Sequence, residues 1–174
     1  MKKIINVTIC IFTLFSTKVF SQDFDENDFF CCSVYELYKT STENDVNNII
    51  VKDTQDNDEE TIYIEADENK LRQVLINIFD NSKDALKKIK KPEVIVSLTQ
   101  QKDKVVIIIQ DNGIGIPQDI INRIYEPYVT SKDNGTGLGL AIVNKIIEEH
   151  NGTIKIENRI KDGVKITIML PNKK

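Results

Sequence analysis

The longest periodic pattern in the chain predicts one amphipathic helix. Asp67 is a residue type that caps helix N-termini, and Pro92 ends the pattern, so we expect the helix to run from Asp67 to about Lys90. Its apolar residues fall mainly on one stripe, which should pack against a sheet. They are Leu71, Val74, Leu75, Ile78, Ala85, Leu86 and Ile89.

Short apolar segments on both sides of this helix have the character of strands. Four of these segments are predicted to form two hairpins, around the polar turns Gln100–Asp103 and Lys161–Gly163. The chain between the two hairpins is predicted to form helices with a flexible break at Asn134-Gly135. The predicted fold is α+β: a two-layer sandwich of a largely antiparallel mixed sheet covered by about three helices. The predicted strands are Thr61–Glu65, Val94–Leu98, Val105–Ile109, Thr153–Glu157 and Val164–Leu170, and the further helices are Gln118–Tyr125 and Leu138–Glu149, the latter stopped by Asn151-Gly152.

The N-terminal part of the chain follows a different pattern. Lys2 and Lys3 precede an apolar run from Ile4 to about Phe15, and small and polar residues follow to Gln22, which is the order of a secretory signal. An uncleaved membrane anchor and a buried strand or helix are the alternatives, although the run is short for a membrane-spanning helix. Residues 23–60 are acidic and asparagine-rich, and we expect a weakly ordered linker there, ahead of a domain over residues 61–174.

Composition narrows the classes of partner. The 174-residue chain is 40% hydrophobic and 29% charged, which is typical of one soluble globular domain. Its formal net charge is −4 and no basic face dominates, so we expect no nucleic acid partner, and membrane contact only through residues 1–22. Cys10, Cys31 and Cys32 lack metal-ligand spacing, and the predicted domain contains no cysteine, which suits a reducing compartment.

Two glycine clusters indicate a nucleotide site. Residues 111–117 (DNGIGIP) follow a predicted strand, and residues 135–140 (GTGLGL) open into a predicted helix. Glycine lets a backbone approach a ligand closely, and the amides at a helix N-terminus favour phosphate. Asn77 and Asn81 lie one turn apart on the predicted long helix, so they project from one face and can meet a metal and phosphates together.

Taken in order, these motifs resemble the ATP-binding catalytic domain of sensor histidine kinases, within the GHKL (Bergerat-fold) ATPase superfamily. The resemblance covers about residues 60–174. It consists of an N box over residues 73–82, the first glycine box over residues 111–115, an aromatic lid motif over residues 125–132 and the second glycine box over residues 135–140. It implies the Bergerat fold, binding of ATP with Mg²⁺, and transfer of the γ-phosphoryl group to a histidine.

The resemblance also implies roles for individual residues. Asn81 would bind Mg²⁺, and Asp111 would select adenine through its exocyclic amine. Asn77 stands where related chaperone ATPases carry a glutamate that activates water, and an amide cannot act as a general base, which favours phosphotransfer over hydrolysis. Lys132 would reach the terminal phosphate, with a solvated surface lysine as the alternative. Further nucleotide contacts are expected from Gly113, Gly115 and Ile116 in the first box and, around the phosphates, from Gly135, Thr136, Gly137, Leu138 and Gly139 in the second.

The chain departs from the family pattern in two respects. Histidine kinases receive the phosphoryl group on a histidine of a dimerising helical hairpin, and this sequence shows no such hairpin. Its single histidine, His150, ends a predicted helix and is expected to be structural. Asp84 stands where many relatives carry a basic residue, and Lys83 or Lys87 could compensate for that phosphate contact.

Three functional hypotheses follow. The first is an ATP- and Mg²⁺-binding kinase domain of a two-component system, whose acceptor histidine is supplied by a hairpin-bearing partner and whose further partner is a response regulator. The second is a nucleotide-dependent regulatory module of the anti-sigma type, against which Asn77 argues because those relatives tend to be acidic there. The third is a non-functional remnant, since a domain exported through residues 1–22 would meet no ATP. If those residues do not export the chain, the domain would work in the cytoplasm.

Overall fold

The computed structural model describes residues 3–7, 49–53, 62–132 and 135–172. The elements in chain order are β1 (Lys3–Val7), β2 (Ile49–Asp53), β3 (Ile62–Ala66), α1 (Glu68–Leu86), β4 (Val94–Gln101), β5 (Lys104–Asp111), α2 (Gln118–Ile121), α3 (Gly139–Glu149), β6 (Thr153–Asn158) and β7 (Val164–Pro171). The described strands form one five-stranded sheet, in the order β2-β4-β5-β7-β6, and a separate antiparallel pair of β1 and β3. Neighbouring strands of the larger sheet are antiparallel except β2 and β4, which are parallel, so the predicted α+β sandwich is confirmed.

The hydrophobic core contains one face of the sheet together with the apolar faces of α1 and α3. Every second residue of β5 is buried on that face, and the register pairs Ile107 with Ile168 and Ile109 with Ile166 on β7. Asp111, the last residue of β5, follows the same alternation, so its carboxylate lies at the edge of the hydrophobic core. Most of the predicted stripe of α1 is buried, and Phe79 is buried with it, whereas Ala85 and Ile89 are only half-buried.

Helix α1 ends earlier than the apolar pattern predicts, at Leu86 instead of about Lys90. The amide of Ile114 donates to the carbonyl of Ala85 at 3.3 Å, and the amide of Ile89 donates to Leu86 at 2.9 Å. The loop after β5 therefore takes a carbonyl that a longer helix would have used. The predicted start is confirmed, because the Asp67 side chain accepts from the Lys70 amide at 3.2 Å.

Smaller boundaries also differ from the sequence prediction. Pairing between β4 and β5 extends to Gln101 and Lys104, so the predicted four-residue turn is reduced to Lys102-Asp103, and Lys102 has φ 48°. The helix predicted over Gln118–Tyr125 stops at Ile121, because the chain continues as turns in which the Arg123 amide bonds to Ile120 at 2.9 Å. Helix α3 begins one residue late, at Gly139. Asn134 of the predicted break lies outside the described residues.

Two strands lie in the segments predicted to be a signal and a linker. Strand β1 pairs with β3, and β2 pairs with β4, which corrects the expectation of weak order for Ile49–Asp53. The β-branched run Ile49-Ile50-Val51 suits a strand at the open edge of β4. The other residues of those segments lie outside the described ranges, and the signal or anchor role of residues 1–22 stays a prediction. Of the helices that the structure describes, none combines the length and apolarity needed to cross a membrane.

Candidate nucleotide-binding site

Asp111 provides a buried hydrogen-bond acceptor at the end of β5, where it is only 4% exposed. Its Oδ1 accepts from the amides of Gly113 at 2.9 Å and Val164 at 3.2 Å, and its Oδ2 accepts from the Ser82 hydroxyl at 3.3 Å. Burial raises the pKa of the Asp111 carboxyl, while these hydrogen bonds act in the opposite direction. Each carboxylate oxygen has about two acceptor sites, so Oδ2 can still accept from an exocyclic amine.

The turn between β6 and β7 supports the first glycine box, although no motif in the sequence indicated a role for this turn in the site. Arg159 Nη1 donates to the Asp111 carbonyl at 2.8 Å. The Asn158 side chain binds both backbone groups of Ile116: its Oδ1 accepts from the amide at 2.8 Å and its Nδ2 donates to the carbonyl at 2.7 Å. Gly163 has φ +86°, and a Cβ there would lie 2.0 Å from the Asp111 carbonyl oxygen, so only glycine fits.

The first glycine box also packs against α1. A Cβ at Gly113 would lie 2.7 Å from the Cβ of Ala85, so the close approach that this glycine permits is to the helix. Gly115 has φ +75°, the left-handed region that glycine tolerates best. Contact of this backbone with a base stays a prediction, as does the nucleotide contact of Ile116.

The second glycine box meets the N box at the start of α3. Gly139 is the first residue of α3, and a Cβ there would lie 3.0 Å from Asn77 Oδ1. Asn77 Nδ2 donates to the Gln73 carbonyl at 2.9 Å, which fixes the orientation of the Asn77 amide. The asparagine face of α1 therefore lies beside a helix N-terminus, whose first amides have no partner within the helix and suit a phosphate.

The rest of the second glycine box contacts the aromatic lid motif. The carbonyl of Gly137 accepts from the Tyr128 amide at 3.0 Å, and a Cβ at Gly137, which has φ +65°, would lie 2.5 Å from the Tyr128 carbonyl carbon. The Thr136 hydroxyl accepts from the Leu138 amide at 3.4 Å, so this hydroxyl supports the turn. The predicted phosphate contacts of these residues remain predictions.

The Lys132 side chain is hydrogen-bonded to Asn81, the predicted metal ligand. Its Nζ donates to Asn81 Oδ1 at 2.7 Å and to Asp84 Oδ2 at 2.6 Å, and its carbonyl accepts from the Gly135 amide at 3.1 Å. Hydrogen bonds from Lys132 and then Lys87 lower the pKa of the Asp84 carboxyl. Lys132 therefore pairs with Asp84 in this structure, and its predicted contact with the terminal phosphate stays a prediction. Lys87, named as a substitute phosphate contact, pairs with Asp84 as well, at 2.8 Å.

Comparison with known proteins decides the family. The sequence model of the histidine kinase-, DNA gyrase B-, and HSP90-like ATPase family matches residues 66–174. The chain belongs to this family. Sporulation kinase A from Bacillus subtilis is 35% identical over 132 residues, which cover 76% of this chain and 21% of that protein. Sensor histidine kinase ZraS from Salmonella typhimurium is 36% identical over 111 residues, which cover 62% of this chain and 23% of that protein.

A solved structure agrees with this assignment. The catalytic domain of histidine kinase ThkA matches with a TM-score of 0.69 and 30% identity, covering 82% of this chain and 92% of that one. Residues 66–174 therefore form a histidine kinase ATP-binding catalytic domain. Because the chain spans about a fifth to a quarter of the two curated relatives, it corresponds to one part of such proteins.

The donors around Asn81 fit the Mg²⁺ that this family implies. Amide oxygens are among the ligand types that Mg²⁺ accepts, and Asn81 Oδ1 already faces a positive charge, because it accepts from the Lys132 ammonium at 2.7 Å. Among the described residues, no group of three or more His, Cys, Asp or Glu side chains is arranged so that it could hold a metal ion. A Mg²⁺ held by Asn81 would complete its coordination with water and phosphate oxygens, as is usual for this ion.

His150 is a structural residue of this kinase domain. It is 3% exposed, its Nδ1 bonds to the Ile146 carbonyl at 2.7 Å, and its Nε2 accepts from the Asp67 amide at 2.9 Å. It thus joins the end of α3 to the start of α1. Asn151 follows at φ +55°, and the Gly152 amide bonds to the Ile147 carbonyl at 2.9 Å, which terminates the helix as predicted.

Proposed function

We propose that this domain binds ATP with Mg²⁺ and transfers the γ-phosphoryl group to a histidine supplied by a partner of a two-component system. One juxtaposition carries the proposal: Asn77 and Asn81 on α1 lie against the start of α3 and against Lys132, respectively, although these groups are distant in sequence. They would form the phosphate end of the site. Asp111, with its free accepting capacity, would form the adenine end.

The residues present suit transfer better than hydrolysis. Phosphoryl transfer depends mainly on positioning and on stabilisation of developing charge. The amides at the start of α3 would hold the phosphates, Asn81 would hold Mg²⁺, and the ion would neutralise phosphate charge. Asn77 offers only an amide beside Gly139, and an amide cannot take a proton from an attacking water, so we expect slow hydrolysis.

The acceptor is expected on another protein because the histidine of this chain is unsuitable. His150 is buried, and both of its ring nitrogens are engaged by backbone groups. A nucleophilic nitrogen must instead be exposed to reach the γ-phosphorus. A histidine-bearing helical hairpin encoded beside this chain would be the first acceptor to test.

Calorimetric titration of the full chain tests the binding part of the proposal. The chain should bind ATP in the presence of Mg²⁺ and prefer ATP to GTP. Asn81→Ala should remove the dependence on Mg²⁺, whereas Asp80→Ala, at an exposed neighbouring position of α1, should preserve it. Equal affinities for ATP and GTP would contradict the adenine assignment, and an unchanged Mg²⁺ dependence in Asn81→Ala would contradict the metal assignment.

A further inference from the structure

We propose that Asp84 holds Lys132 on Asn81 and so keeps the metal-binding oxygen covered until Mg²⁺ and nucleotide arrive. The inference deepens the proposed function and rests on it. Lys132 Nζ lies 2.7 Å from Asn81 Oδ1 and 2.6 Å from Asp84 Oδ2. We call this three-residue contact the Lys132 bridge.

The Lys132 bridge and a metal ion at Asn81 exclude one another. A Mg²⁺ ligand lies about 2.0–2.1 Å from the ion, so the ion and the ammonium would be only a few ångströms apart at one amide oxygen. Two cations that close repel each other strongly. Metal binding at Asn81 therefore requires Lys132 to leave, which makes its ammonium available to the phosphates.

Asp84 is the residue that holds the bridge, because it supplies the charge. Both hydrogen bonds have the Lys132 ammonium as donor, but only the bond to Asp84 joins two opposite charges, so it is stronger than the bond to the uncharged Asn81 amide. The side chains of Lys132 and Asp84 are 40% and 37% exposed, and an ion pair with that exposure is weak enough for Mg²⁺ and ATP to displace. Asp84 keeps a partner after Lys132 leaves, since Lys87 pairs with it at 2.8 Å.

A nucleotide-independent measurement tests the bridge itself. The full chain is acetylated on its lysines without nucleotide, and the rate at Lys132 is followed by mass spectrometry. Asp84→Ala should acetylate Lys132 about two- to fivefold faster, the range expected for an exposed ion pair. The matched control is Glu68→Ala, which removes another partly exposed carboxylate of α1, paired with Arg72. An unchanged rate at Lys132 in Asp84→Ala would overturn the bridge.

Calorimetry with Mg²⁺ and ATP then tests its consequence in four proteins: the parent chain, Asp84→Ala, Lys132→Met and the double variant. Asp84→Ala should bind about two- to fivefold more tightly, and should give no gain in the Lys132→Met background. A gain that persists there would mean that Asp84 only repels phosphate, and weaker binding would make Asp84 a metal ligand. Either result overturns the inference. If the parent chain binds no ATP, the proposed function fails, and acetylation alone decides the bridge.

Discussion

Replacing Asp111 by asparagine should separate nucleotide recognition from folding. Asparagine keeps the oxygen that accepts the amides of Gly113 and Val164, and it puts an amide nitrogen in place of the other oxygen. That nitrogen donates and cannot accept from the exocyclic amine of adenine. The variant should therefore fold and lose ATP binding.

The hydrogen bonds involved set the size of the loss. A hydrogen bond to a charged group contributes about 1.5–3 kcal/mol, and an unpaired donor at a buried site costs about 1–3 kcal/mol more. Asp111 is 4% exposed, so both contributions apply in full. Their sum, about 2.5–6 kcal/mol, corresponds to an affinity lowered about 10²- to 10⁴-fold. Guanine carries a carbonyl where adenine carries the amine, so the variant should also lose the preference for ATP over GTP.

The free energy of unfolding of the same variant should be no lower than that of the parent chain near neutral pH. Burial raises the pKa of the folded-state Asp111 carboxyl above its unfolded value, so the ionised group opposes folding at pH values above the folded-state pKa. That cost disappears as the pH falls from the folded-state pKa to the unfolded-state pKa. Asparagine has no charge to desolvate, so across this interval the parent chain should gain stability relative to Asp111→Asn as the pH falls.

Two assays on purified protein check these expectations: calorimetric titration with ATP and GTP, and urea unfolding at several pH values. Asp162→Asn is a matched control, because it neutralises an exposed carboxylate in the β6–β7 turn. Unchanged ATP affinity in Asp111→Asn would refute the role of the second oxygen. If Asp111→Asn lowered the free energy of unfolding near neutral pH by more than about 1 kcal/mol, the contribution of an ordinary hydrogen bond, the negative charge of Asp111 would itself be needed to hold the loop that follows β5.

Two further predictions concern Gly163 and His150. Gly163→Ala should lower the free energy of unfolding by at least about 1–3 kcal/mol, the cost of a strained backbone, because the position has φ +86° and no room for a Cβ. Urea unfolding measures this loss, and the neighbouring Asp162→Ala should not show it. If Gly163→Ala were as stable as the parent chain, the close approach of Gly163 to the Asp111 carbonyl would be contradicted. The purified chain should not label itself with γ-labelled ATP, since His150 is buried with both ring nitrogens bonded, and acid-labile phosphate located on His150 by mass spectrometry would contradict this.

The elements from β3 onward were predictable from sequence because their causes are local, whereas β1 and β2 lie in segments predicted to be a signal and a linker. The stripe of α1 repeats within a few residues, Asp67 caps that helix through the Lys70 amide three residues on, and Asn151-Gly152 ends α3 through carbonyls of its last turn. The glycine boxes were found for the same reason, since each is a short continuous motif. Ser82 also left a local signal, as a polar residue on the buried stripe of α1, although its bond to Asp111 did not follow from it.

Only the tertiary structure decided how these pieces meet. The end of α1 depends on a hydrogen bond from the Ile114 amide. The backbone of Ile116 is held by Asn158, 42 residues away in sequence, and Lys132 is hydrogen-bonded to Asn81, 51 residues away. Gly163 looked like an ordinary turn residue, whereas its place against the Asp111 carbonyl follows from the register of β5 with β7. Such contacts depend on strand pairing and on which residue of a loop faces a neighbour, and no periodicity along the chain encodes either.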